Sequence, residues 1–161
     1  MRKVEKSGGV ARSICQLLPY AGIIILMAAL DQLTKYLAIV HLKDKPALIL
    51  IEGVLELQYL ENRGVAFSMF QGKKILILLI EFVVLAVILF FLFRIPEEKK
   101  YRILRIVLAV LSAGALGNII DRLRFDYVVD FISFVLISYP VFNVADCFVV
   151  VGTIILFLLM M

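Results

Sequence analysis

The sequence predicts a membrane all-α bundle of four transmembrane helices with a small strand-rich element on the outer membrane surface. Three observations carry that expectation. The chain of 161 residues is 63% hydrophobic and only 19% charged, with a mean hydropathy of +1.05. A soluble domain is closer to half apolar. Its apolar residues gather into four runs, each long enough for a hydrocarbon core about 30 Å thick, which takes about 20 helical residues. Between the first two runs lies a stretch with a different period. One domain, residues 1–161, accounts for the whole.

The first run extends over about 14–40, interrupted late by Asp31 and Lys35. A basic leader before an apolar run resembles a signal peptide. This run is too long and no small-residue cleavage site follows it, so a retained span is expected. The second span falls at about 75–93, the third at 103–120 and the fourth at 141–161. Basic residues orient them. Arg2, Lys3, Lys6 and Arg12 precede the first, while Arg94, Lys99, Lys100, Arg102 and Arg105 crowd the connection between the second and third. The positive-inside rule makes both regions cytoplasmic, and four spans return the C-terminus to that side. Lys43, Lys45, Arg63, Lys73 and Lys74 then lie outside.

The outer element covers about 41–72. Leu55, Leu57 and Tyr59 alternate with Glu56 and Gln58, the period of a half-buried strand. Gly53, Gly64 and Gly72 punctuate it, and Phe67, Met69 and Phe70 suit a membrane interface. A second extended stretch, Tyr127 to Ile132, is expected beside it.

Composition excludes several functions. The net charge of +4 comes from residues at span ends rather than from a basic stripe, so nucleic acid is not an expected partner. A single His41 and two distant cysteines, Cys15 and Cys147, make no catalytic zinc site, and no cofactor is expected. The same topology keeps the two cysteines at opposite faces, too far apart for a disulfide.

Four aspartates sit where the apolar runs end: Asp31, Asp121, Asp130 and Asp146. A carboxylate near a bilayer core is costly unless paired, hydrated or protonated. Asp31, Asp121 and Asp146 fall at outer ends of spans, and Asp130 in the outer connection, so the topology collects all four at one face. Asp130 is flanked by apolar Val128, Val129, Phe131 and Ile132, which should raise its pKa by desolvation. A neighbouring Asp146 carboxylate would raise it further. Such a pair holds one proton, so one member can take a proton from water while the other polarises a carbonyl.

Other polar residues admit a bland interpretation. Gly114, Asn118 and Asp121 share a stripe of the third helix, which could be a packing seam ended by an Asp121–Arg122 pair. Asn143 and Asp146 near a helix start could merely complement its dipole. Asp31 and Lys35, four residues apart, most simply form an intrahelical ion pair. Asn62 could donate to a substrate backbone or be an ordinary turn residue before Gly64. Glu81 lies in the outer half of the second span, where a bundle-facing or hydrated position is expected.

Five segments together resemble the bacterial lipoprotein signal peptidases, the signal peptidase II family: Asp31-Gln-Leu-Thr-Lys35, Glu61-Asn-Arg-Gly-Val-Ala-Phe67, Gly117-Asn-Ile-Ile-Asp-Arg122, Val128-Val-Asp-Phe131 and Phe142-Asn-Val-Ala-Asp146. The resemblance covers nearly the whole chain. It implies an aspartic endopeptidase of the bacterial cytoplasmic membrane, active at the outer face. Its substrates would be prolipoproteins carrying diacylglycerol on a cysteine, cut just before that cysteine. By the same resemblance Asp130 and Asp146 are the catalytic pair, Asn62 and Arg122 contact substrate, and Asp31, Asn118, Asp121 and Asn143 are supporting polar residues. Arg63 and Cys147 depart from the usual pattern of the family. Membrane lipids are further expected partners, and a monomer is expected. Two competing functions remain, a small transporter subunit with a carboxylate relay and an assembly factor. Relay acids favour mid-span positions, whereas these acids gather at one face.

Overall fold

A computed structural model describes residues 5–64, 73–137 and 139–161, with side chains from Gln16 onward. The side chains of Lys6, Arg12 and Cys15, and the residues Arg2, Lys3, Val65, Phe67, Met69, Phe70 and Gly72, lie outside what is described.

Polar and apolar side chains are distributed as in a membrane protein. Ile25, Leu26, Ile75, Phe93 and Phe157 are more than half exposed, whereas Asp31, Lys35, Asp121, Arg122, Asp130 and Asn143 are buried. A soluble protein buries its charges almost never unless they are paired. Lipid can cover the outward apolar surface, and the ionisable groups turn inward.

Among the described residues, four α-helices and three β-strands make the fold. The helices are α1 (Glu5–Leu42), α2 (Lys74–Arg94), α3 (Arg102–Phe125) and α4 (Val144–Met160), and a single 3₁₀ turn, Lys99–Tyr101, leads into α3. Three helical segments, Gln16–Leu42 of α1, Lys74–Arg94 that is α2, and Lys99–Phe125 that joins the 3₁₀ turn to α3, are long and apolar enough to cross a membrane. The fourth helix differs from the expected span at 141–161. It starts at Val144 and has 17 residues, a rise of about 25 Å. The preceding Phe142 pairs with Ile132 instead of entering the helix.

Helix α3 is the hub, packing against each of the other helices. Its small residues permit this. A Cβ placed on Gly114 would lie 2.6 Å from the Ala145 carbonyl oxygen, and one on Gly117 would lie 2.5 Å from Asp31 Oδ2. Glycine at these two positions therefore lets α4 and α1 approach close enough for polar side chains to meet. At the end bearing the α2–α3 connection, Tyr20, Leu92, Val107, Leu108, Ala109 and Leu111 form an apolar cluster.

The element expected at the outer surface is a three-stranded antiparallel sheet in the order β1 (Leu48–Ile51), β2 (Leu55–Asn62), β3 (Val128–Phe134). Gly53, at φ 69°, makes the turn between the first two. The expected strands around Leu55–Tyr59 and Tyr127–Ile132 are both present and paired. Asp130, expected in the connection between the third and fourth spans, lies there on β3. The sheet rests on the end of α1, where Ala38 and Leu42 pack against Val129 and Phe131.

One irregularity decides which side chains reach the site. Leu57 pairs with Ile132, but Leu60 pairs with Asp130, so β2 carries one extra residue between them. Without that bulge, Tyr59 and Glu61 would share a face with Asp130 and Val128. With it, Leu60 and Asn62 do, because one residue of slip exchanges the faces of a strand.

Candidate active site

Asp130 and Asp146 line one cavity of about 320 Å³, together with Asn62, Glu81, Asn118 and Arg122. It lies where α2, α3 and α4 meet the sheet. Asp130 is carried by β3 and is 1% exposed. Asp146 occupies the first turn of α4. Strand and helix thus bring together two carboxylates that are sixteen positions apart in sequence.

Asparagine amides hold both acids. Asn62 Nδ2 donates to Asp130 Oδ2 at 2.8 Å, and Asn143 Nδ2 donates to Asp130 Oδ1 at 2.7 Å. Asn118 Nδ2 donates to Asp146 Oδ1 at 2.8 Å. Asn143 also caps α4: its Oδ1 accepts from the Asp146 backbone N–H at 3.0 Å. Its own N–H donates to Asp146 Oδ2 at 3.2 Å. This reciprocal capping box satisfies two helix-terminal donors and fixes the Asp146 rotamer. The helix-start role that the sequence left open for Asn143 and Asp146 therefore exists. It coexists with a position on the cavity.

Burial pushes the Asp130 carboxyl up to about 7, and the charge of Asp146 adds to the rise. The amides of Asn62 and Asn143 act in the opposite direction. Desolvation outweighs them because a nearly dry carboxylate loses its water shell on every side. At neutral pH Asp130 is consequently poised between acid and base.

Beneath the pair lies a charged layer that does not line the cavity. Lys35 Nζ is 3.0 Å from Asp31 Oδ2, 3.1 Å from Asp121 Oδ2 and 2.9 Å from Asn118 Oδ1. Its three N–H groups are all used. The expected Asp31–Lys35 pair is present, with a third and fourth member that spacing along α1 could not reveal. Asn143 Nδ2 also donates to Asn118 Oδ1, at 3.2 Å. With its oxygen facing an ammonium and an amide N–H₂, Asn118 can only turn its own N–H₂ toward Asp146. Asp31 Oδ1 accepts from the Ala145 backbone N–H at 2.9 Å, tying α1 to the start of α4.

Asp121 and Arg122 do not pair with each other. Consecutive helical residues point about 100° apart. Asp121 turns toward α1 and β3, accepting from Gln32 Nε2 at 2.8 Å and from the Val129 N–H at 3.0 Å. Arg122 turns toward the cavity, donating to Glu81 Oε1 at 2.5 Å and to the Gly64 carbonyl at 2.7 Å. Two partners went unrecognised in the sequence, Gln32 and Glu81. Each is a polar residue inside an apolar run. That was the available signal, but neither sits at a spacing that names a partner.

Known proteins resemble this chain along most of its length. A family model described as signal peptidase (SPase) II matches residues 23–161. A lipoprotein signal peptidase of Caldanaerobacter subterraneus subsp. tengcongensis is 44% identical over 86% of this chain and 92% of its own length. One from Clostridium tetani is 39% identical over 83% of this chain and 86% of its own. A solved structure described as a bacterial membrane enzyme superposes with a TM-score of 0.78 at 28% identity, covering 87% of this chain and 85% of the other. A cavity with two carboxylates on an apolar helical bundle, matched along nearly its whole length, has one consistent attribution: the chain belongs to the signal peptidase II family.

Proposed function

We propose that the protein is a membrane aspartic endopeptidase that removes signal peptides from diacylglyceryl-modified prolipoproteins, cutting before the lipid-modified cysteine. One observation carries the mechanism: two carboxylates share a cavity, each held by asparagine donors, and one has its pKa raised to about 7. Water held between them loses a proton to Asp146, and its oxygen attacks the scissile carbonyl carbon. Asp130 gives its proton to the carbonyl oxygen, forming a neutral tetrahedral diol. As the C–N bond breaks, Asp146 passes its proton to the leaving nitrogen and the diol returns a proton to Asp130. Both acids end as they began, and no covalent enzyme intermediate forms.

Asn62 and Arg122 line the same cavity as the acids, which supports their assignment as substrate contacts. Asn62 has a second duty, since one of its N–H groups holds Asp130. Asp31, Asp121, Asn118 and Asn143 support the pair through the bonds described above.

This assignment has a pH consequence. The folded pKa of Asp130, about 7, lies above the ordinary value near 3.9 of an unfolded chain. Between those values the folded state binds the extra proton, so stability falls as pH rises through that window. Activity requires the proton on Asp130 and should decline as pH rises above about 7. A kcat/KM profile on a fixed precursor reads this; a flat profile from pH 6 to pH 9 would contradict it.

The orientation is part of the proposal: inner membrane, both termini cytoplasmic and the cavity at the outer face. A reporter fused after Met161 or within Pro96–Lys100 should be cytoplasmic, and one near Lys45 should be outside. The reverse pattern would separate the acids from the face where exported precursors arrive.

A further inference from the structure

Glu81 is charged, sits within the strongly apolar helix α2, and has no part in the mechanism above. Its Oε1 meets Arg122 at 2.5 Å. Its Oε2 is buried and accepts no hydrogen bond among the described residues. The side chain is 19% exposed and lines the cavity that holds Asp130 and Asp146.

A buried carboxylate oxygen with no donor costs about 1–3 kcal/mol, more for a charged group. In an empty cavity water can meet that need. A substrate that fills the cavity displaces the water and must then supply the donor itself. Arg122 sets a matching constraint beside it. Its Nη1 and Nη2 each bond one partner, Glu81 and the Gly64 carbonyl, and a guanidinium has five N–H groups in a fixed fork. The ion pair therefore presents unspent donors next to an unspent acceptor. An extended peptide presents the complementary set, one C=O and one N–H on successive backbone units. Within a membrane those backbone groups have no water to bond.

We propose that Glu81 is a substrate-binding residue whose Oε2 accepts a backbone N–H of the precursor while Arg122 donates to a carbonyl of the same segment. This rests on the peptidase function proposed above. The alternative is that Glu81 serves only as the counter-ion of Arg122. A Glu81→Gln variant separates the two, because its amide oxygen can stay on Arg122 while its N–H₂ faces the cavity. That leaves a donor where an acceptor is needed.

The experiment uses the purified full chain in detergent and a series of lipid-modified precursors. In each precursor one backbone amide away from the scissile bond is replaced by an ester, which deletes a single N–H. Cleavage of the all-amide precursor by the unaltered protein reads the peptidase function by itself. Glu81 is read from the differences within the series. One ester position should lower kcat/KM by about 10- to 100-fold in the unaltered protein. The same position should have little further effect in Glu81→Gln, whose Tm should stay close to the starting value. Should Glu81→Gln fail to fold, Glu81→Asp is the second variant. It keeps the charge but withdraws the carboxylate by one methylene, and the same loss of ester sensitivity is expected. An ester series with the same profile in a folded Glu81 variant as in the unaltered protein would overturn the proposal. So would a Glu81→Gln protein that melts early yet keeps its full kcat/KM.

Discussion

Asp130→Asn and Asp146→Asn should each lower kcat by about 100- to 10,000-fold, the usual scale for one acid–base group, and leave the protein folded. The substitutions are nearly isosteric. In Asp130→Asn the amide oxygen can still accept from Asn62 or Asn143, which now donate to the two carboxylate oxygens. In Asp146→Asn it can still accept from Asn118 or from the Asn143 N–H, so the capping box is weakened rather than lost. Losing one contact of this kind costs about 1 kcal/mol. The chemistry has no such fallback, because an amide neither takes a proton from water nor gives one to a carbonyl. Single-turnover kinetics with Tm measured in parallel decides the matter. Near-normal turnover in either variant would end the assignment of the pair.

Lys35→Met should have the largest effect on stability. The side chain is 2% exposed and stands between Asp31, at 0%, and Asp121, at 1%. Removing the ammonium leaves two carboxylates facing each other with no cation, and breaking a buried ion pair in this way costs about 3–5 kcal/mol. That approaches the whole stability of many domains. The expected result is aggregation in detergent, or a melting temperature many degrees lower. Adding Asp121→Asn should recover part of the loss by removing one of the stranded charges. A Lys35→Met protein that melts with the unaltered one would mean the charged layer is not what holds α1 to α3.

These two results test different layers of the site, and the layers differed in how far the sequence disclosed them. That Asp130 and Asp146 meet in one cavity was legible because hydropathy and charge bias suggested a topology that brings span ends together. Strand β2 was legible because Leu55, Leu57 and Tyr59 alternate with polar residues. Strand β1, Leu48–Ile51, was not, because four consecutive apolar residues have no period. The bulge between Leu57 and Leu60 left no local mark, yet it is what puts Asn62 rather than Glu61 on the face of Asp130. Ion pairs followed the same division. Asp31–Lys35 could be read from spacing within one helix. Lys35–Asp121 and Glu81–Arg122 join separate helices, and their partners depend on helix rotation that no spacing encodes. The adjacency of Asp121 and Arg122 pointed to a pair that helix geometry forbids.

On the function proposed here, this chain hydrolyses the peptide bond before a lipid-modified cysteine. The most direct test incubates the purified protein in detergent with a diacylglyceryl-modified precursor and weighs the products by mass spectrometry. Two fragments are expected, a signal peptide ending in a free carboxylate and a polypeptide beginning with the lipid-modified cysteine. An intact precursor after prolonged incubation, or a cut at another bond, would contradict it.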